Sequence, residues 1–202
     1  MSEFTRLALE LVEAGRQLHS RGLVPATSGN LSARMSDGTV AITVSGKHKG
    51  QLQEQDIMLV DKHGCSLDDR KPSAETLLHT SLYARYPDAS AVLHPHSVNS
   101  TLISRLCEDW LNLGDYEILK AFPDIHTHQC QISVPIFTND QDVARLSTKV
   151  DTCLSGMDIA VGYLIRGHGF YTWGSSVADA MRHLEALEFM FECELRLREI
   201  AK

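Results

Sequence analysis

The sequence predicts one domain of mixed α and β elements. Three observations carry this. The chain has 202 residues, which suits a single domain with a sizeable core. Hydrophobic residues make up 43%, enough to bury that core rather than leave the chain disordered. Segments of helical period alternate with short apolar runs across residues 1–202, with no internal repeat, low-complexity tract or linker.

Taken in order, residues 4–20 place Phe4, Leu7, Ala8, Leu11, Val12 and Leu18 on one helical stripe, closed by Gly22 and Pro25. A polar loop follows at Thr27-Ser28-Gly29-Asn30. Thr39–Val44 reads as a strand, Ser45-Gly46-Lys47 as a turn, and Ile57–Val60 as a second strand. Ser73, behind Pro72, is expected to cap a helix from Ala74 to Tyr86. Ala89–His94 reads as a short strand and Val98–Leu106 as a helix. Residues 107–130 give little pattern beyond a helical stretch at 115–122. Ile132–Phe137 is a strand, 141–154 a helix opened by Asp140, and Ile159–Ile165 and Phe170–Trp173 strands joined at Gly167-His168-Gly169. Ser176 caps the last helix, with Asp179 as its capping-box partner.

Composition excludes some functions. There are 19 basic and 26 acidic residues, a net charge of -7, which argues against a general nucleic-acid binder. No apolar run is long enough to cross a membrane, and the start, MSEFTRLALELVEAG, lacks the pattern of a signal peptide. Five scattered cysteines without a CxxC pair read as reduced thiols, so a cytoplasmic location is expected.

Two H-x-H pairs stand out among ten histidines: His94-Pro95-His96 and His126-Thr127-His128. Residues i and i+2 of a strand share a face, so two imidazoles can converge on one ion. Imidazole suits zinc, iron, nickel or copper. The first pair ends an apolar strand and is the better supported, but the spacing leaves both open. His168, between two glycines, offers a third ligand. Ser28-Gly29-Asn30, Ser45-Gly46-Lys47 and Ser73 offer hydroxyls and backbone donors to an anion, and Lys47 and Lys49 add charge. Glu75 and Glu117 are both candidate acid/base groups; each also has an ordinary role, Glu75 beside His79 and Glu117 on a solvated helix face.

Together, SGN at 28–30, VSG at 44–46, KPSAE at 71–75, VLHPH at 92–96 and RGHG at 166–169 resemble the class II aldolase and adducin-head family, in its order and over nearly the whole chain. The resemblance implies a three-layer α/β/α fold around a central, largely antiparallel sheet. It implies Zn2+ held by His94, His96 and His168, which decides against His126 and His128. It also implies a small-molecule sugar-phosphate substrate, with no nucleic-acid or membrane partner, and a homotetramer with sites at subunit interfaces. GDYEILKAF and GHGFYTWG look most like a dehydratase branch of the family. In that branch 5-methylthioribulose 1-phosphate loses water through a metal-stabilised enediolate, a step of methionine salvage. Its acid/base glutamate lies in Glu-hydrophobic-hydrophobic-Lys, here Glu117-Ile118-Leu119-Lys120. Gly29, Asn30, Ser45, Gly46 and Ser73, with Lys47 nearby, are then expected to hold the phosphate. The aldolase branch uses the glutamate after Pro-Ser-Ser; here that segment is Pro72-Ser73-Ala74-Glu75, so the second serine is absent. A sugar-phosphate aldolase using Glu75, and a non-enzymatic interaction module, are the alternatives.

Overall fold

A computed structural model describes residues 1–201. In chain order the elements are α1 (Glu3–Ser20), β1 (Asn30–Arg34), β2 (Val40–Thr43), β3 (Ile57–Val60), α2 (Thr76–Arg85), β4 (Ala91–His94), α3 (Val98–Leu106), β5 (Trp110–Gly114), β6 (Gln131–Phe137), α4 (Val143–Ser155), β7 (Tyr163–Ile165), β8 (Gly169–Gly174) and α5 (Val177–Ile200). Short 3-10 turns lie at Lys49–Gln51, Glu54–Asp56 and Glu117–Ala121.

The eight strands form one sheet in the order β3-β2-β1-β4-β8-β7-β6-β5. Every neighbouring pair is antiparallel except β6 with β7. The period-2 alternation of the strands sorts their side chains onto two faces. Leu31, Ala33, Ala41, Ala91, Leu93, Leu164 and Phe170 share one core with α1, α3 and α5. Val40, Ile42, Val92, Tyr163, Ile165, Tyr171 and Trp173 share the other with α2 and α4. These are the three layers, α/β/α, that were expected.

Several local expectations are corrected. The loop residue Asn30 starts β1, a central strand the sequence pattern does not mark. Ser73 does not cap α2: its Oγ accepts from the Glu75 amide at 3.3 Å, two residues early, and Glu75 itself is the cap position. Asp142, not Asp140, caps α4, accepting from the Arg145 amide. Asp140 instead accepts from the Asp142 amide and pairs with Arg145. Ser176 does cap α5, but Asp179 returns its carboxylate to the Ser175 amide rather than to Ser176. The strand expected from Ile159 begins only at Tyr163, and the helix expected at 115–122 is the five-residue 3-10 turn Glu117–Ala121.

Candidate metal centre

The site forms where three strands of the sheet end together. β1 pairs with β4 so that Asn30 lies opposite His94, and β4 pairs with β8. Alternation along β4 puts Val92 and His94 on the α2/α4 face, and His94 is fully buried there, stacked on the Tyr171 ring at 4.0 Å. Its Nδ1 is 2.8 Å from the Phe170 carbonyl oxygen. Donation to that carbonyl leaves Nε2 with a free lone pair.

His96 follows Pro95, and its backbone amide donates to the Leu23 carbonyl at 2.8 Å, which carries the chain off the sheet. The next residue, Ser97, caps α3 and donates to Glu188 of α5 at 2.6 Å; Asn99 donates to the same carboxylate at 2.8 Å. His168 sits in the β7–β8 hairpin, where Gly167 has φ +66°, a region a side chain rarely adopts. That hairpin is braced on α3. Arg166 donates to the carbonyls of Ser104 and Cys107, and the Gly167 amide donates to Ser104 Oγ at 3.0 Å.

These constraints bring His94, His96, His168 and Glu75 together, with one ligand atom from each within 4.8 Å of the others. The Nε2 atoms of His94 and His96 are 2.9 Å apart. Glu75 Oε1 is 3.2 Å from His168 Nε2 and 3.6 Å from His94 Nε2, and Glu75 Oε2 accepts from Asn30 Nδ2 at 2.6 Å. Burial lowers the His96 imidazole to about 3 and lowers His168 as well, so both are neutral near pH 7 with lone pairs available. Burial works against the Glu75 carboxylate, but His94, then His168 and His96, outweigh it and hold the group at about 2. Converging neutral imidazole nitrogens beside a carboxylate are the donor set that a divalent transition ion takes, and the residues fit one.

The remaining candidates are placed as follows. Gly29 has φ +80°, and a Cβ there would lie 2.7 Å from the His94 carbonyl oxygen, so the loop runs tight against the end of β4. Asn30 is buried and committed to Glu75. Ser45, Gly46 and Lys47 are exposed, with Gly46 at φ +75° and Lys47 paired with Asp56 at 2.9 Å. Ser73 is half-buried one turn before α2. Glu117 is not brought into the histidine cluster of its own chain. Its side chain is 72% exposed, accepts from Lys120 at 2.6 Å and lies 3.7 Å from His128. His126 and His128 are exposed and stand outside the cluster. The Asn30–Glu75 hydrogen bond was not foreseen. Asn30 directly follows a glycine in a polar loop, and nothing in that pattern ties it to a helix start 45 residues on.

The family described as Class II Aldolase and Adducin N-terminal domain matches residues 9–195. A protein named methylthioribulose-1-phosphate dehydratase from Methylococcus capsulatus is 59% identical over 100% of this chain and 98% of its own length. One of the same name from Azotobacter vinelandii is 56% identical over 96% of each. Among solved structures, an L-fuculose-1-phosphate aldolase from Thermus thermophilus superposes with TM-score 0.79 at 24% identity, covering 98% of both chains. That last similarity concerns the fold.

Proposed function

The chain belongs to the class II aldolase and adducin N-terminal domain family, and from this premise we propose that it is a hydro-lyase of methionine salvage. Its reaction is the dehydration of 5-methylthioribulose 1-phosphate to 2,3-diketo-5-methylthiopentyl 1-phosphate. The observation that carries the reading is the full-length identity to dehydratases of that name, in a chain whose His94, His96 and His168 converge.

His94, His96 and His168 hold a divalent ion, zinc in this proposal. When bound, the ion supplies Lewis-acid stabilisation of negative charge developing on the substrate oxygens beside the carbon that loses its proton. Glu117 takes the C3 proton as general base. The same carboxyl, now protonated, returns the proton to the departing C4 hydroxyl, which leaves as water. The enol left behind gives up its C3 hydroxyl proton and takes one at C4, becoming the diketone, so the carbon skeleton stays whole. Gly29, Asn30, Ser45, Gly46 and Ser73 hold the phosphate, with Lys47 at the rim. Asn30 also holds Glu75 in place beside the histidines through its amide hydrogen bond. Because Glu117 is exposed on its own chain, it serves the site of a neighbouring protomer in a homotetramer. The chain acts as a single domain in the cytoplasm; no helix of the described residues is long and apolar enough to cross a membrane.

A second reading, aldol cleavage with Glu75 as the base, is favoured by one observation: Glu75 is the carboxylate inside the cluster. Incubating the metal-loaded protein with 5-methylthioribulose 1-phosphate separates the two. Dehydration gives one diketone, whereas cleavage gives two carbonyl fragments. Glu117→Gln is expected to lower kcat by about 10²–10⁴-fold. If Glu117→Gln retains normal turnover while Glu75→Gln is inactive, the assignment of the base to Glu117 is wrong.

A further inference from the structure

Lys49 is fully buried. Its Nζ donates to the carbonyl oxygens of Thr27 at 3.1 Å and Lys47 at 2.8 Å. Neutral carbonyls take two of its three donors and do not balance its charge. A buried ammonium without a counter-charge costs free energy, and burial accordingly pushes Lys49 down to about 8, opposed only by the more distant charge of Glu75. Its neighbour Lys47 is differently placed, exposed and already paired with Asp56.

The two carbonyls belong to the two glycine loops. Thr27 stands directly before Ser28-Gly29, and Lys47 directly after Ser45-Gly46. Both glycines have positive φ, +80° and +75°. Ser28 Oγ is buried and has no hydrogen-bond partner. One cation is therefore fastened to both loops, and a buried hydroxyl in the first of them has a donor to spare. The Lys49 backbone is fixed from behind: Gly15 of α1 approaches so closely that a Cβ there would lie 2.7 Å from the Lys49 carbonyl oxygen.

We infer that Lys49 is the positioning residue of an anion site between these loops. Its ammonium ties the loops together and supplies the buried positive charge that a phosphate neutralises, and Ser28 Oγ is a further donor to that phosphate. This rests on the phosphoester substrate proposed above. A phosphate in this place completes the charge pairing that Lys49 lacks, and charge-assisted hydrogen bonds are the stronger ones.

The test uses the metal-loaded protein, with inorganic phosphate as the probe. Lys49→Met is expected to weaken phosphate binding, and to raise KM for the phosphorylated substrate, by about 10–100-fold. Metal content is unchanged and kcat moves by less than about threefold, the split that separates a phosphate contact from general damage. Lys49→Gln keeps a donor but not the charge and is expected to show the same loss. Ser28→Ala is expected to show a smaller one. Phosphate affinity within about twofold of wild type in a folded Lys49→Met protein overturns the inference. Should these variants fail to fold, the wild-type protein answers by 13Cε lysine NMR. One buried lysine signal should respond to phosphate, with its titration moved to higher pH, and the absence of any responding lysine overturns the inference. If the wild type binds phosphate through Lys49 but leaves the methylthio substrate untouched, the dehydratase reading falls and the anion site stands.

Discussion

Single residues on the α2/α4 face set how the protein responds to acid. His79 lies fully buried beneath the histidine cluster; its Nδ1 is 2.7 Å from Ser32 Oγ, which in turn meets the Tyr83 hydroxyl at 2.8 Å. Its ring packs edge-on against Tyr171, whose face carries His94. Burial first, and the neighbouring His94 next, hold His79 at about 3 against an ordinary 6.5. The unfolded chain therefore binds a proton that the folded chain refuses as pH falls from 6.5 towards 3. The stability that neutral His79 represents is complete above 6.5 and is lost progressively through that window. His79→Gln, neutral at every pH, is expected to flatten the dependence of unfolding free energy on pH by up to about 1.4 kcal/mol per pH unit there. Urea unfolding of the metal-free proteins at stepped pH and fixed concentration measures it; parallel curves for variant and wild type exclude the role. At this scale the clustered histidines were legible only in part: H-x-H and a histidine between glycines are patterns of chemistry, but spacing left His126-Thr127-His128 open beside His94-Pro95-His96, and it was the family resemblance that chose between them. Which carboxylate acts was not legible, because Glu75 in a helix start and Glu117 in a helical stretch each have an ordinary place.

Elements carry the clustered histidines and Glu75 to one point, and the close approach of β8 to the end of β4 decides whether they meet. Gly169 opens β8 against Pro95, and a Cβ there would overlap the Pro95 carbonyl oxygen and lie 3.0 Å from His94 Cε1. Gly169→Ala must push β8 from β4, and with it the Phe170 carbonyl that orients His94. We expect it to cost roughly 1–3 kcal/mol of stability and to lower metal affinity by about 10–100-fold. Thermal unfolding and metal titration check this, and unchanged affinity in a folded variant refutes it. The elements were unevenly readable. Helix α1 is visible because its apolar residues keep one helical period, and strand β3 because it is an uninterrupted apolar run. Strand β1 is not, since Asn30, Ser32 and Arg34 make it look like loop. It is a strand because tertiary partners satisfy it: His79 and Tyr83 for Ser32, Glu75 for Asn30, and the Tyr83 carbonyl for Arg34 at 3.0 Å. Strand β5, at the sheet edge, exposes Trp110 and Asn112 and buries only Leu111 and Leu113 fully, too short an alternation to separate from a loop.

The whole molecule poses the last question, because one chain does not gather all the groups the proposed reaction uses. The histidines and Glu75 lie together at the ends of β4 and β8, while Glu117 stands exposed on its own 3-10 turn beside Lys120 and His128. If Glu117 completes the site of a neighbour, each site takes its histidines from one protomer and its base from the next, as in a head-to-tail contact closed into a ring. Two inactive variants then repair each other. His96→Ala lacks a ligand and Glu117→Gln lacks the base, so each homotetramer is expected to be inactive. Unfolded together in equal amounts and refolded, they form mixed rings. In these, about a quarter of the sites join intact histidines to an intact Glu117, and about a quarter of wild-type turnover should return. Mixing the folded homotetramers without exchange should restore nothing, which guards against contamination by active protein. A site built within one chain gives the opposite result. Every protomer then carries one lesion, no arrangement of protomers removes it, and the refolded mixture stays inactive.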